Sequence, residues 1–88
     1  MKYDVSWRED AYLLLVEIWD ESSDADDLMR AIGAIDSALS EDADTTGESR
    51  SDGRRVFFAP PLGITFRVHF RLAEAVVVDV WRIQPRRS

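Results

Sequence analysis

The feature that most constrains this chain is an alternation near its C-terminal end. Ile64, Phe66, Val68, Phe70 and Leu72 are apolar at every second position, and Thr65, Arg67, His69 and Arg71 fill the gaps. Successive side chains of a strand point to opposite faces, so this pattern predicts a half-buried strand with a basic exposed side. The preceding segment, residues 54–59, is strand-like, and Pro60-Pro61-Leu62-Gly63 between the two is turn chemistry, because proline fixes φ and glycine can take positive φ. Residues 75–83 form a β-branched run with Val76, Val78 and Val80 on one face and Val77, Asp79, Trp81 and Ile83 on the other. Three consecutive antiparallel strands, a meander, are therefore expected.

The earlier part of the chain supplies elements to cover such a sheet. Tyr3, Val5 and Trp7 alternate with Asp4 and Ser6, which predicts a short first strand. Ser6-Trp7-Arg8-Glu9 fits a capping box that starts a helix. Ala11, Leu14, Leu15 and Ile18 follow at helical spacing, and Tyr12, Leu13, Val16 and Trp19 extend the apolar surface around most of the girth. A helix of that kind is either deeply buried or docked on a partner. Residues 20–24 are polar, and Ser23 or Asp24 is the expected N-cap of a second helix with Asp26 and Asp27 in its first turn. Ala25, Leu28, Met29, Ile32, Ile35 and Leu39 share its apolar stripe. Gly33 costs about 1 kcal/mol of helix propensity against alanine, and a close helix contact is the expected reason for it.

Residues 40–53 contain no large apolar side chain and read as a long surface loop. Its acids Asp42, Asp44, Glu48 and Asp52 lack the ligand order of a calcium loop, so neither a metal nor a cofactor is expected. The order β-α-α-β-β-β predicts an α+β fold of a single domain over residues 1–88: a strand, a two-helix hairpin on one face of the sheet, then the three-stranded antiparallel meander with its other face open.

At 88 residues and 45% hydrophobic content the chain has enough apolar material for one core. It contains no cysteine, which excludes disulfides and thiolate metal sites. No apolar run approaches the roughly 20 residues of a membrane span, and Asp4 interrupts any signal-peptide pattern. A soluble, cytoplasmic protein without a membrane partner is the expectation. The net charge of −6 is unevenly distributed: residues 1–53 carry four Lys and Arg against fifteen Asp and Glu, residues 54–88 seven Arg against two acids. The expected surface is dipolar, with an acidic helical side and a basic sheet side that is a candidate anion site.

Several stretches together carry a resemblance. Val5-Ser-Trp-Arg-Glu-Asp-Ala11, Ala34-Ile-Asp-Ser-Ala-Leu39, Gly47-Glu-Ser-Arg50, the run from Arg54 to Val68, and Val76-Val-Val-Asp-Val-Trp81, in this order of elements, resemble the RelE/ParE superfamily of bacterial type II toxins over nearly the whole chain. The resemblance implies a toxin held inactive by a cognate antitoxin, acting on the ribosome and its mRNA as an endonuclease or, in the ParE branch, on DNA gyrase. The nucleases of that superfamily use basic residues on the second strand, an arginine just after the glycine-containing turn, and an arginine with an aromatic residue near the C-terminus. This chain has Val56 and Phe58, then Thr65, at the first two places, with Arg67 two residues along the same face, and Arg86 matching the C-terminal arginine. These departures lean the expectation toward the ParE branch or toward a member that keeps only the antitoxin-binding fold.

RNA cleavage needs a base for the 2′-hydroxyl, a cation on the scissile phosphate and an acid for the leaving oxygen. Arg67, His69 and Arg86 are the candidate catalytic residues, with Asp79 across the hairpin from His69; a solitary surface histidine beside charged neighbours is the plainer alternative. Arg71, Arg82 and Arg87, with Tyr12 and Trp19 on the first helix, are the candidate contacts for antitoxin or target, since guanidinium pairs bidentately with carboxylate or phosphate.

Overall fold

The computed structural model describes residues 2–83; the expectations for Arg86, Arg87 and the tail of residues 84–88 lie outside them. The elements are β1 (Asp4–Trp7), α1 (Glu9–Asp20), α2 (Ala25–Asp42), β2 (Glu48–Ser49), β3 (Arg54–Ala59), β4 (Leu62–His69), a 3-10 turn (Phe70–Leu72) and β5 (Glu74–Arg82). The fold is α+β as expected, and the meander β3-β4-β5 is present. The sheet has five strands rather than four, in the order β1-β5-β4-β3-β2, and it is mixed: β1 runs parallel to β5, whereas the other pairs are antiparallel.

Two helical expectations are corrected at the caps. Ser6 belongs to β1, and the residue before α1 is Arg8, which makes no side-chain capping bond. Arg8 N–H donates to the Val77 carbonyl at 2.9 Å, so sheet pairing carries on to the start of the helix. The first turn is served by Asp10, whose Oδ1 accepts the Ala11 N–H at 2.9 Å while both carboxylate oxygens bind the Arg8 guanidinium at 2.7 and 3.0 Å. At α2 the capping position is Asp24, but its carboxylate is directed to Arg82 and makes no cap. Nor does Gly33 permit a close contact: a Cβ built there meets nothing within 4 Å.

The turn of β3 and β4 is shorter than expected. Ala59 pairs with Leu62, so Pro60 and Pro61, joined by a cis peptide, make the whole connection. Gly63 is then a strand residue, and its function is space: a Cβ there would lie 2.6 Å from the indole of Trp81. At the other end β4 stops at His69, and Phe70 and Leu72 turn out to solvent instead of continuing the apolar face, 65% and 70% exposed. The 3-10 turn ends in Ala73 at φ 49°, which reverses the chain before the alternation can extend.

The faces of β5 also differ from a simple alternation. Thr65 pairs with Asp79 but Phe66 with Val77, leaving Val78 as a bulge. One extra residue reverses parity, so Ala75 and Val77 before the bulge share the core face with Val80 after it. That core face meets Ala11 of α1 and Leu28, Ala31, Ile35 and Leu39 of α2 over Leu62, Ile64 and Phe66 of β4, all of them nearly or fully buried. The supposed loop after α2 is partly structured as well. The helix continues to Asp42, Ala43 is fully buried, and β2 pairs with β3. Thr46 donates to the Asp42 carbonyl at 2.7 Å, and Arg55 donates to the carbonyls of Thr46 and Gly47 at 2.8 and 3.1 Å, tying this segment to the sheet. No helix among the described residues is long and apolar enough to cross a membrane.

Candidate functional site

Both helices lie on the core side of the sheet, and no element among the described residues covers its other face. Residues opposite one another in the ladder share a face, so Arg54, Arg67 and Val76 form one row of the open face, Val56, Thr65 and Asp79 a second, and Phe58, Gly63 and Trp81 a third. The Phe58 and Trp81 rings meet edge to face at 6.2 Å over Gly63. Arg54 and Arg67 place two cations directly across from each other, an arrangement that destabilises an isolated sheet. Asp52 lies 3.5 Å from Arg54 Nε, yet that nitrogen is buried without a hydrogen-bond acceptor, and it is the only such side-chain atom among the described residues. Arg67 has no ion-pair partner among them.

The candidate catalytic residues are distributed along this face. Arg67 is half-buried in the first row. His69 is exposed and opposite Glu74, whereas Asp79 is opposite Thr65. His69 and Thr65 are four residues apart on one strand, so His69 and Asp79 share a face but stand about 13 Å apart along it. Arg71 is exposed in the 3-10 turn, off the strand that carries Arg67. Arg82 is on the helical side: its guanidinium donates to Ser22 Oγ at 3.1 Å and to Asp24 Oδ2 at 2.7 Å. This bonding holds the Asp24 carboxyl below the usual carboxylate range and raises Arg82 further. Arg54 was absent from the expected site although its place follows from the sequence once the turn is taken as Pro60-Pro61, since that register sets it opposite Arg67.

The second surface is the outer side of α1. Tyr12 and Leu13 are each 55% exposed, Val16 and Trp19 nearly 40%, and Met29 of α2 59%. Tyr12, Leu15, Val16, Trp19 and Ile32 line a groove of about 220 Å³ between the two helices. No other element among the described residues lies over these side chains; of the seven large apolar residues of α1, only Leu15 and Ile18 pack against the core. No group of three or more histidine, aspartate or glutamate side chains among the described residues is arranged to hold a metal.

The sequence matches no protein-family model and no curated protein. The solved structures that match in fold include the following two. A chain of the toxin-antitoxin complex RelBE2 from Mycobacterium tuberculosis superposes with a TM-score of 0.76 at 15% identity, over 93% of this chain and 92% of that one. A chain of the chromosomal ParDE toxin-antitoxin system from P. aeruginosa gives 0.69 at 19% identity, over 94% and 98%. The strand, the two helices and the mixed five-stranded sheet are the fold that this chain shares with those two chains.

Proposed function

We propose that a chain with this fold is the toxin of a type II toxin-antitoxin system, neutralised by a protein antitoxin encoded beside it and arresting growth through DNA gyrase or through translation. The observation that carries the reading is the pairing of a toxin-like fold over more than nine-tenths of the chain with an apolar α1 surface that the described residues leave exposed. Exposed apolar area of this extent, rimmed by charge, marks a protein interface, and an antitoxin is the partner that the fold supports.

The experiment is induced expression of the chain alone in a bacterium, following incorporation of labelled methionine and labelled thymidine over the first minutes. Early loss of thymidine incorporation supports action on gyrase, and early loss of methionine incorporation supports action on translation. Normal incorporation of both by cells holding folded, soluble protein removes the toxin reading and leaves an antitoxin-binding or other partner-binding role.

One observation favours the translational branch specifically. Arg54 and Arg67 concentrate positive charge on the open sheet face, and His69 stands on that face two residues beyond Arg67. In a ribosome-dependent endonuclease Arg67 would hold the scissile phosphate and His69 would take the 2′-hydroxyl proton, with Arg86 completing the set.

A further inference from the structure

The helical layer has a charge pattern that restricts what can cover it. Helix α1 has no Lys or Arg and four acids, Glu9, Asp10, Glu17 and Asp20. Helix α2 has five acids against Arg30, and Arg30 is paired with Asp27 at 2.9 Å. The acids are interleaved with the exposed apolar groups: on a helix surface the neighbours of Leu13 are Glu9, Asp10, Val16 and Glu17, and Val16 is followed one turn later by Asp20. Across the groove Met29 has Asp26 before it, and Ile32 has Asp36 after it.

We infer that the segment covering this face is a cationic amphipathic helix, an inference that rests on the antitoxin reading above. Two physical arguments carry it. The face is made of helix surfaces, whose backbone donors and acceptors are already used within each helix, so an extended peptide laid along it would have to leave its own N–H and C=O groups without partners. A helix brings a satisfied backbone and sets apolar anchors three and four residues apart into the groove between Tyr12, Val16, Trp19 and Ile32. Charge decides the remaining face. An acidic helix would place carboxylates against Glu9, Glu17 and Asp20, none of which has a cation within reach on its own helix, whereas Lys and Arg at the flanks of the apolar stripe would complement them.

The test uses two synthetic helical peptides with the same leucine and isoleucine stripe, one with Lys and Arg on the polar face and one with Glu, titrated calorimetrically into the full chain. The cationic peptide is expected to bind about ten-fold tighter or more at low salt, with the ratio shrinking toward one at about 1 M salt. Glu17→Lys combined with Asp20→Lys should remove the preference, and Tyr12→Ala with Leu13→Ala should weaken both peptides. All four side chains are exposed, and unchanged circular dichroism verifies the fold. Equal binding of the two peptides, tighter binding of the acidic one, or no binding of either at about 100 µM overturns the inference. So does self-association of the chain alone that the Tyr12→Ala, Leu13→Ala variant abolishes, which would assign the face to a second copy. The growth measurement on the intact chain is independent: arrest without peptide discrimination removes this inference alone, and discrimination without arrest keeps the docking face but removes the toxin reading.

Discussion

Arg82 and Asp24, 58 residues apart in sequence, meet through a 2.7 Å bond between Nη2 and Oδ2 that joins the last residue of β5 to the N-cap of the second helix. The side chains are less than one-third exposed, and the same guanidinium reaches Ser22 of the inter-helix connection. The pair fastens the end of β5 to the helical layer, and it removes Arg82 from the cations that face solvent.

Asp24→Asn should lower the melting temperature by a few degrees at neutral pH, and the loss should depend on acid. The Arg82 bond holds the Asp24 carboxyl below its unfolded value of about 3.9. A depressed carboxylate stabilises the fold above the unfolded value and loses that effect as pH falls through the folded one. The melting temperatures of the two proteins should therefore be separated near pH 7, with the gap starting to narrow near pH 4 and closing only below the folded-state value; a constant separation down to about pH 2 would show that the pair is not its source.

The Phe58–Trp81 contact depends on the missing side chain at Gly63. Gly63→Ala should push the indole off the strand, costing about 1–3 kcal/mol by overpacking, with a shift in tryptophan emission. In a Trp81→Ala background the same substitution should be close to neutral, because nothing remains to collide with. Additive effects in the double variant would contradict the geometry.

Two other glycines should respond in opposite senses to alanine. Gly33 is exposed in the interior of α2 with open space around it, so Gly33→Ala should stabilise the protein by about 1 kcal/mol. Gly47 has φ 70°, and a Cβ there would run into the Val56 carbonyl. Gly47→Ala should cost more than the roughly 1–2 kcal/mol of the left-handed conformation alone, as read by urea unfolding.

Phe66 and Phe70 stand on one sequence alternation and should behave differently. Phe66 is fully buried and Phe70 is 65% exposed. Phe66→Ala should cost about 3–5 kcal/mol, whereas Phe70→Ser should change stability by less than about 0.5 kcal/mol. Similar losses from both would mean that the strand continues through Phe70.

The cross-strand arginines separate stability from activity. Arg67→Gln relieves repulsion with Arg54 and should leave stability unchanged or slightly raised, by a few tenths of a kcal/mol, while weakening growth arrest in the induced-expression assay. A destabilised variant would show that Arg67 serves packing instead.

These contrasts mark where local pattern carries structural information and where it ends. The alternation from Ile64 to Val68 and the helical spacing of Leu28, Ile35 and Leu39 identify their core faces because the period and the burial agree. The run Val76-Val77-Val78 contains no polar residue to mark parity, so the bulge at Val78 leaves no trace in composition, and the faces of β5 are reversed on one side of it. Glu48 and Ser49 have no apolar side chain, and only their backbone pairing with β3 makes them a strand. Asp24 reads as a cap by local rules; its actual partner comes from the far end of the sequence. At the candidate site, the open face of Arg67 and His69 follows from alternation, while the separation of His69 from Asp79 required the ladder register.

The parallel seam between β1 and β5 has a consequence for how the protein is made. Val5 has its place beside Ala75, and Asp4 N–H bonds the Ala73 carbonyl at 2.8 Å, so β1 pairs only with β5, the strand farthest from it in sequence. Helix α1, which packs on β5, has no sheet surface of its own until that strand is made. During synthesis β2, β3 and β4 can pair with one another before β5 emerges, whereas β1 and α1 wait for it. A chain released before β5 lacks the support for β1 and α1 together.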